Sequence, residues 1–203
     1  MLINGSRLVG LPILSLHVGG EIARVSEVIV NPDNLKIIAF RVDGPLIGHD
    51  DVGDILPVES VREFSALGLI IDSIDEFVDG EAVVRIKKVL ELDFSLIGLK
   101  VVTKKHEKLG KVSEYVAVAE DWRIHQLIVQ RPIMKSIIDP ELTIPRSRII
   151  EINDYEVIVK SEKDAAKSRT RANAPADFIP NFVNPFREPD FAPDSRTTTR
   201  SGD

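Results

Sequence analysis

The chain contains no cysteine, so disulfide staples, thiolate nucleophiles and cysteine-bound zinc or iron–sulfur sites are excluded and the fold must be held by its core. No run approaches ~18 uninterrupted apolar residues. Met1 to Val9 lacks the basic stretch, apolar run and small-residue cleavage site of a secretory leader. The expectation is a cytoplasmic protein with no transmembrane segment, although docking on a membrane through a partner is compatible with this composition. Glycine-rich phosphate loops and the Gly-x-Ser-x-Gly elbow are missing, so no nucleotide cofactor and no hydrolase nucleophile is indicated. Positive charge is also in deficit. With 26 basic against 32 acidic side chains the net charge is −6, and the molecule as a whole repels a phosphate backbone.

What remains is ordinary globular composition, 43% hydrophobic and 29% charged over 203 residues, and within it an internal repeat. Ser6 to Leu11 is answered by Phe94 to Leu99, Gly10 falling on Gly98. Ile22-Ala23-Arg24-Val25-Ser26-Glu27 is answered by Leu109-Gly110-Lys111-Val112-Ser113-Glu114. Ile37, Phe40 and Val42 fall on Ile124, Leu127 and Val129, and Pro45-Leu46-Ile47 on Pro132-Ile133-Met134. Ile55-Leu56-Pro57 then meets Thr143-Ile144-Pro145, and Leu69 to Ser73 meets Val157 to Ser161. The spacing moves from 88 to 87 residues and back, the mark of one residue lost in one turn and regained in another.

Each copy reads as short strands. Pro12 to Val18 and Val101 to Lys105 run into turns at Gly19-Gly20 and Glu107-Lys108. Ala23 to Val30 and Gly110 to Val118 then alternate apolar and polar residues. Asn31-Pro32-Asp33-Asn34 is strong turn chemistry, and Leu35 to Val42 supplies the returning strand. So many short strands in so small a unit predict a closed barrel, which removes exposed edges. Between the copies, Glu81 to Leu90 lacks glycine and proline and spaces Val83, Ile86 and Leu90 as one helical face. The stripe fits packing on one or both barrels, or a partner-binding helix.

The succession of Leu96-Ile97-Gly98, Leu109-Gly110-Lys111-Val112, Ile124 to Val129, Ile144-Pro145 and Val157-Ile158-Val159, repeated in the first copy with Ala23 for Gly110, resembles the PRC-barrel family over roughly residues 5 to 161. The resemblance implies a mainly β protein of two tandem small barrels, a first domain at 1–76 and a second at 94–161; the helical stripe makes 77–93 a connector helix between them, and composition makes 162–203 a disordered tail. Family members include the cytoplasmic part of the photosynthetic reaction centre H subunit, a bacterial ribosome maturation factor and small stand-alone proteins. They mostly bind other proteins, and no catalytic residue comes with the match. The RNA-processing domain that precedes the barrel in the maturation factor is replaced here by a second barrel.

Candidate interaction residues lie in loops and in the tail. Leu46-Ile47 and Ile133-Met134 follow prolines where a loop usually turns polar, and either plug their own barrel ends or face a partner. Ile137 and Ile138 lengthen the second loop and tilt Ile133, Met134, Ile137 and Ile138 toward an interface. In the tail, Pro175, Pro180, Pro185, Pro189 and Pro193 forbid a long helix, and Phe178, Phe182, Phe186 and Phe191 recur in polar surroundings as candidate stickers for a partner groove, against plain disorder.

Charge divides unevenly: residues 1–93 hold 8 basic and 16 acidic side chains, whereas 94–160 hold 11 and 9. Lys100, Lys104, Lys105, Lys108 and Lys111 gather on one hairpin, either a solvated face or a surface for RNA or an acidic protein. His49, Asp50, Asp51 and Asp54 form an oxygen- and nitrogen-rich loop that reads as solvated or as a cation site without EF-hand spacing. His17, His106 and His125 are scattered, with no triad spacing. The functional expectation is a non-enzymatic protein-interaction adaptor. Its rivals are an RNA-linked ribosome-assembly or RNA-processing accessory factor and, more remotely, a metal-dependent enzyme.

Overall fold

A computed structural model describes residues 1–48, 52–132, 140–153 and 155–161. Among the described residues the protein is mainly β, with thirteen strands and one short α-helix. In the first half these are β1 (Leu2–Asn4), β2 (Pro12–Ser15), β3 (Gly20–Asn31), β4 (Lys36–Asp43), β5 (Ile55–Pro57), β6 (Glu63–Ser65) and β7 (Gly68–Ile71). Helix α1 (Val84–Leu90) follows. The second half has β8 (Lys100–Thr103), β9 (Lys108–Val118), β10 (Arg123–Gln130), β11 (Glu141–Pro145), β12 (Ile149–Ile152) and β13 (Glu156–Val159).

The sequence repeat is a repeat of topology. Strands β2, β3, β4 and β5 pair antiparallel in succession, β7 returns parallel to β2, and β6 pairs with β7; β8 to β13 repeat every one of these pairings. The recurrent glycines have a shared task. Gly10 and Gly98 adopt φ of 82° and 89°, a left-handed conformation cheap only without a Cβ. Each thereby sends its N–H to the strand beside it, to Val25 O at 2.7 Å and to Val112 O at 2.8 Å.

One expectation is corrected. Neither half closes its ladder into a barrel: β5 and β6, like β11 and β12, are joined by a single 3-10 turn and do not pair. Pro57 and Pro145 end β5 and β11 in the two halves, and a residue with no N–H cannot extend a ladder. The two halves are joined through their sheet and core. One sheet runs through both in the order β12-β13-β8-β9-β10-β4-β3-β2-β7-β6, a sequence that reads the same from either end once equivalent strands are exchanged. One buried cluster likewise spans Leu8, Ile13, Phe40 and Leu69 of the first half and Leu96, Val101, Leu127 and Val157 of the second.

The join lies on a local two-fold axis. Lys36 of β4 faces Arg123 of β10, its counterpart in the repeat. Ile37 N donates to Trp122 O at 2.8 Å while Ile124 N donates to Leu35 O at 2.9 Å, and these two bonds are exchanged by the 87-residue repeat. Leu35 and Trp122 both carry positive φ at the hairpin tips and both are buried. Trp122 reaches Phe40 and Phe64 in the other half.

Helix α1 breaks the symmetry. Ile86, fully buried, and Val89 pack on Ile29, Ile38, Ala39 and Ile55 of the first half's outer face. The corresponding positions of the second half are Val116, His125, Gln126 and Thr143, too polar to seat a second helix. The apolar stripe expected of Val83, Ile86 and Leu90 is therefore spent on the first half, and the helix starts at Val84 instead of Glu81 because Glu81 N and Ala82 N are taken by the Asp79 turn. Among the described residues no helix is long and apolar enough to cross a membrane.

Candidate functional site at the seam of the two halves

The Val-Ser-Glu motif occurs at 25–27 and 112–114. Core packing explains the valines, both buried, but not the exposed serines. The ladders do. Val25 pairs with Val42 and Glu27 with Arg41, leaving Ser26 as the extra residue of a β-bulge. Val112 pairs with Val129 and Glu114 with Ile128, leaving Ser113 in the same role, its hydroxyl donating to Ile128 O at 3.1 Å. A bulge re-aims the side chains next to it and recurs beside functional sites.

Both bulges line one cleft. It holds about 290 Å³ and its walls come from both halves in equivalent pairs: Ser26 with Ser113, Glu27 with Glu114, Val28 with Tyr115, and Val9 with Ile97. Val9 and Ile97 stand at 52% and 46% exposure, too high for core residues. On one side the Tyr115 ring lies against Gly5, where a Cβ would stand 2.2 Å from the ring.

The electrostatics are one-signed. Glu27 accepts from Arg41 at 3.2 Å, but Arg41 also donates to Asp54 at 2.5 Å, so one guanidinium serves two carboxylates. Burial works against charge on Arg41, and the two acids outweigh it and raise its pKa, which keeps it cationic at every ordinary pH. Glu114 accepts backbone N–H bonds from Ser6, at 3.2 and 3.3 Å, and from Tyr115, at 2.8 Å. It has no ion-pair partner among the described residues. Burial, and then the Glu114 charge, push the Tyr115 phenol well above its usual pKa, so it is neutral throughout the physiological range. Glu27 and Glu114 are the charged side chains that line the cleft, and Arg41, outside it, is shared between Glu27 and Asp54.

Sequence reasoning singled out Val-Ser-Glu as a mark of the repeat but not as a site; the signal was a polar pair kept in both copies at a position the strand pattern does not need. Of the residues it did single out, Ile133, Met134, Ile137, Ile138, Phe178, Phe182, Phe186 and Phe191 lie outside the described residues, as do His49, Asp50 and Asp51. Asp54 is described and is the Arg41 partner. Leu46 is exposed, whereas Ile47 packs against the core. His17, His106 and His125 are all exposed and belong to different turns and strands. The lysines at 100, 104, 105, 108 and 111 are all exposed, on β8, β9 and the turn between. Among the described residues no three His, Asp or Glu side chains are placed to hold a metal ion. A larger groove of about 560 Å³ runs between β1 and β6, lined by Leu2, Leu11, Phe64 and Ala66.

Fold and cleft together define a duplicated, mainly β protein with an acidic, apolar-rimmed recess where its halves meet. No protein-family model matches the chain. No curated protein matches it either.

Proposed function

We propose that the protein is a non-enzymatic interaction module, an adaptor built from two units akin to the PRC-barrel family. In this reading the units are residues 1–76 and 94–161, joined by a connector at 77–93 and followed by a tail at 162–203, and the setting is the bacterial cytoplasm. The reading rests on the cleft: Val9 and Ile97 form an exposed apolar rim that core packing does not require, beside a polar lining of Ser26, Glu27, Ser113 and Glu114. The repeated strand order supports the kinship. The loop residues Ile133, Met134, Ile137 and Ile138 and the phenylalanines of the tail are the further contacts of this reading, and no cofactor belongs to it. Affinity capture with the full chain, with a Val9→Ser/Ile97→Ser variant and with a chain ending at Ser161 tests it. Partners retained equally by all three would overturn it, and so would the absence of any partner.

The five exposed lysines around β8 and β9 favour a second reading, an RNA-linked accessory of ribosome assembly. Its signature is RNA retention that weakens with salt and is lost in Lys104→Glu/Lys105→Glu.

A further inference from the structure

We infer that the seam cleft receives an extended segment of a partner protein in which one Lys or Arg is flanked by apolar side chains. The inference rests on the adaptor reading and adds the chemistry of the bound segment.

Charge is the first ground. Arg41 is shared between Glu27 and Asp54, and Glu114 has backbone donors but no cation among the described residues. A carboxylate in a half-enclosed recess gains most from a partner that brings both charge and N–H donors, which a guanidinium or ammonium does and a neutral group does not. An anionic segment meets Glu114, which no cation among the described residues offsets, and Glu27, whose Arg41 is shared with Asp54, and like charges at close range repel.

Shape is the second ground. Val9 and Ile97 stand on the two equivalent walls, while Ser26 and Ser113 lie beside the carboxylates. A ligand that places a cation between the glutamates and an apolar group on each valine or isoleucine wall matches this arrangement without leaving a polar group unpaired. The Ser26 and Ser113 hydroxyl oxygens, the latter already donating its proton to Ile128 O, can accept main-chain N–H groups of an extended chain, the mode in which main-chain bonds give affinity and side-chain pockets give selectivity.

Calorimetric titration of the full chain with acetyl-Ala-Phe-Arg-Phe-Ala-amide, alongside the same peptide with Arg replaced by Gln or by Glu, tests this. The expected result is measurable binding of the Arg peptide, about tenfold weaker binding of the Gln peptide and none of the Glu peptide. Glu27→Gln/Glu114→Gln should abolish the preference for Arg over Gln. Val9→Ser/Ile97→Ser, at exposed positions that folding does not depend on, should weaken all binding while leaving the melting temperature in place. Equal binding of the three peptides, or a preference for Arg that survives the double glutamine variant, overturns the proposal. If the Arg peptide binds only to a chain ending at Ser161, the cleft belongs to the chain's own tail and the proposal is likewise overturned. Failure of the adaptor reading is separate: it shows as no partner captured by the intact chain, whereas failure of the present inference shows as partner capture indifferent to Glu27 and Glu114.

Discussion

Trp122, carried by the second half, meets Phe40 of the first edge to face, with ring centroids 5.3 Å apart and planes at 75°. The same indole lies 5.9 Å from Phe64. A hairpin tip of one half is thus a core residue of the other. Trp122→Ala should cost about 3–5 kcal/mol in urea unfolding, as for other large-to-small core changes. A double-mutant cycle with Phe64→Leu should return a coupling of about 0.5–1.5 kcal/mol. Trp122 is the protein's one tryptophan, so its fluorescence should lie to the blue in the folded state and move red in a single transition if the halves unfold together.

Leu35 gives the reciprocal test. It is buried at the equivalent tip and its carbonyl accepts from Ile124 N and Arg146 Nη1. Leu35→Ala should destabilise by about 2–5 kcal/mol, with hydrogen exchange accelerated in β10 as well as β4. Protection lost only in the first half would argue against interlocked cores.

Gly5 touches the Tyr115 ring with no room for a methyl group. Gly5→Ala should lose about 1–3 kcal/mol through forced displacement of the ring, and Tyr115→Leu in the same chain should recover part of that loss in thermal melts.

Tyr115 also sets an alkaline limit. Its pKa is raised by burial and by Glu114. A raised pKa means that the folded state holds the proton after the unfolded state has released it, so the contribution is fully present below the unfolded value near ~10 and is lost as pH climbs past it. Denaturation midpoints should fall above about pH 10, and Tyr115→Phe should flatten that fall.

Helix α1 separates buried from exposed apolar side chains within one turn. Ile86→Ala should cost about 2–5 kcal/mol, because Ile86 is enclosed by Ile29, Ile38 and Ile55. Val84, 67% exposed, should tolerate alanine within about 0.5 kcal/mol. Equal effects at the two positions in chemical denaturation would contradict the packing described.

Much of this was legible before any coordinates. Gly10 and Gly98, Pro57 and Pro145, and the two Val-Ser-Glu segments punctuate strands whose period-two pattern is local, and the hairpins β2–β3, β3–β4 and their counterparts follow from it. What the pattern could not convey is which half a buried residue serves. Leu35 and Trp122 each follow a polar turn residue, Asn34 and Asp121, and only contact with the other half makes them core. The cleft was hidden for the same reason. Ser26 and Ser113 alternate as solvent-facing strand residues should, and the bulges that turn them toward one recess depend on the partner strands β4 and β10. The barrel expectation failed on a further point of this kind: Pro57 and Pro145 are strand residues by pattern, yet each stops its ladder short of the strand that would close it.

Strand β1 pairs not with its own half but with β9, Leu2 against Val118 and Asn4 against Val116, and the Met1 amine caps the arrangement on Glu120. During synthesis β1 has no strand to pair with until β9, about 112 residues further along, has emerged. The N-terminal unit therefore waits, incompletely anchored, for the C-terminal one, and ordering of the leading segment becomes a late event that reports on arrival of the second unit.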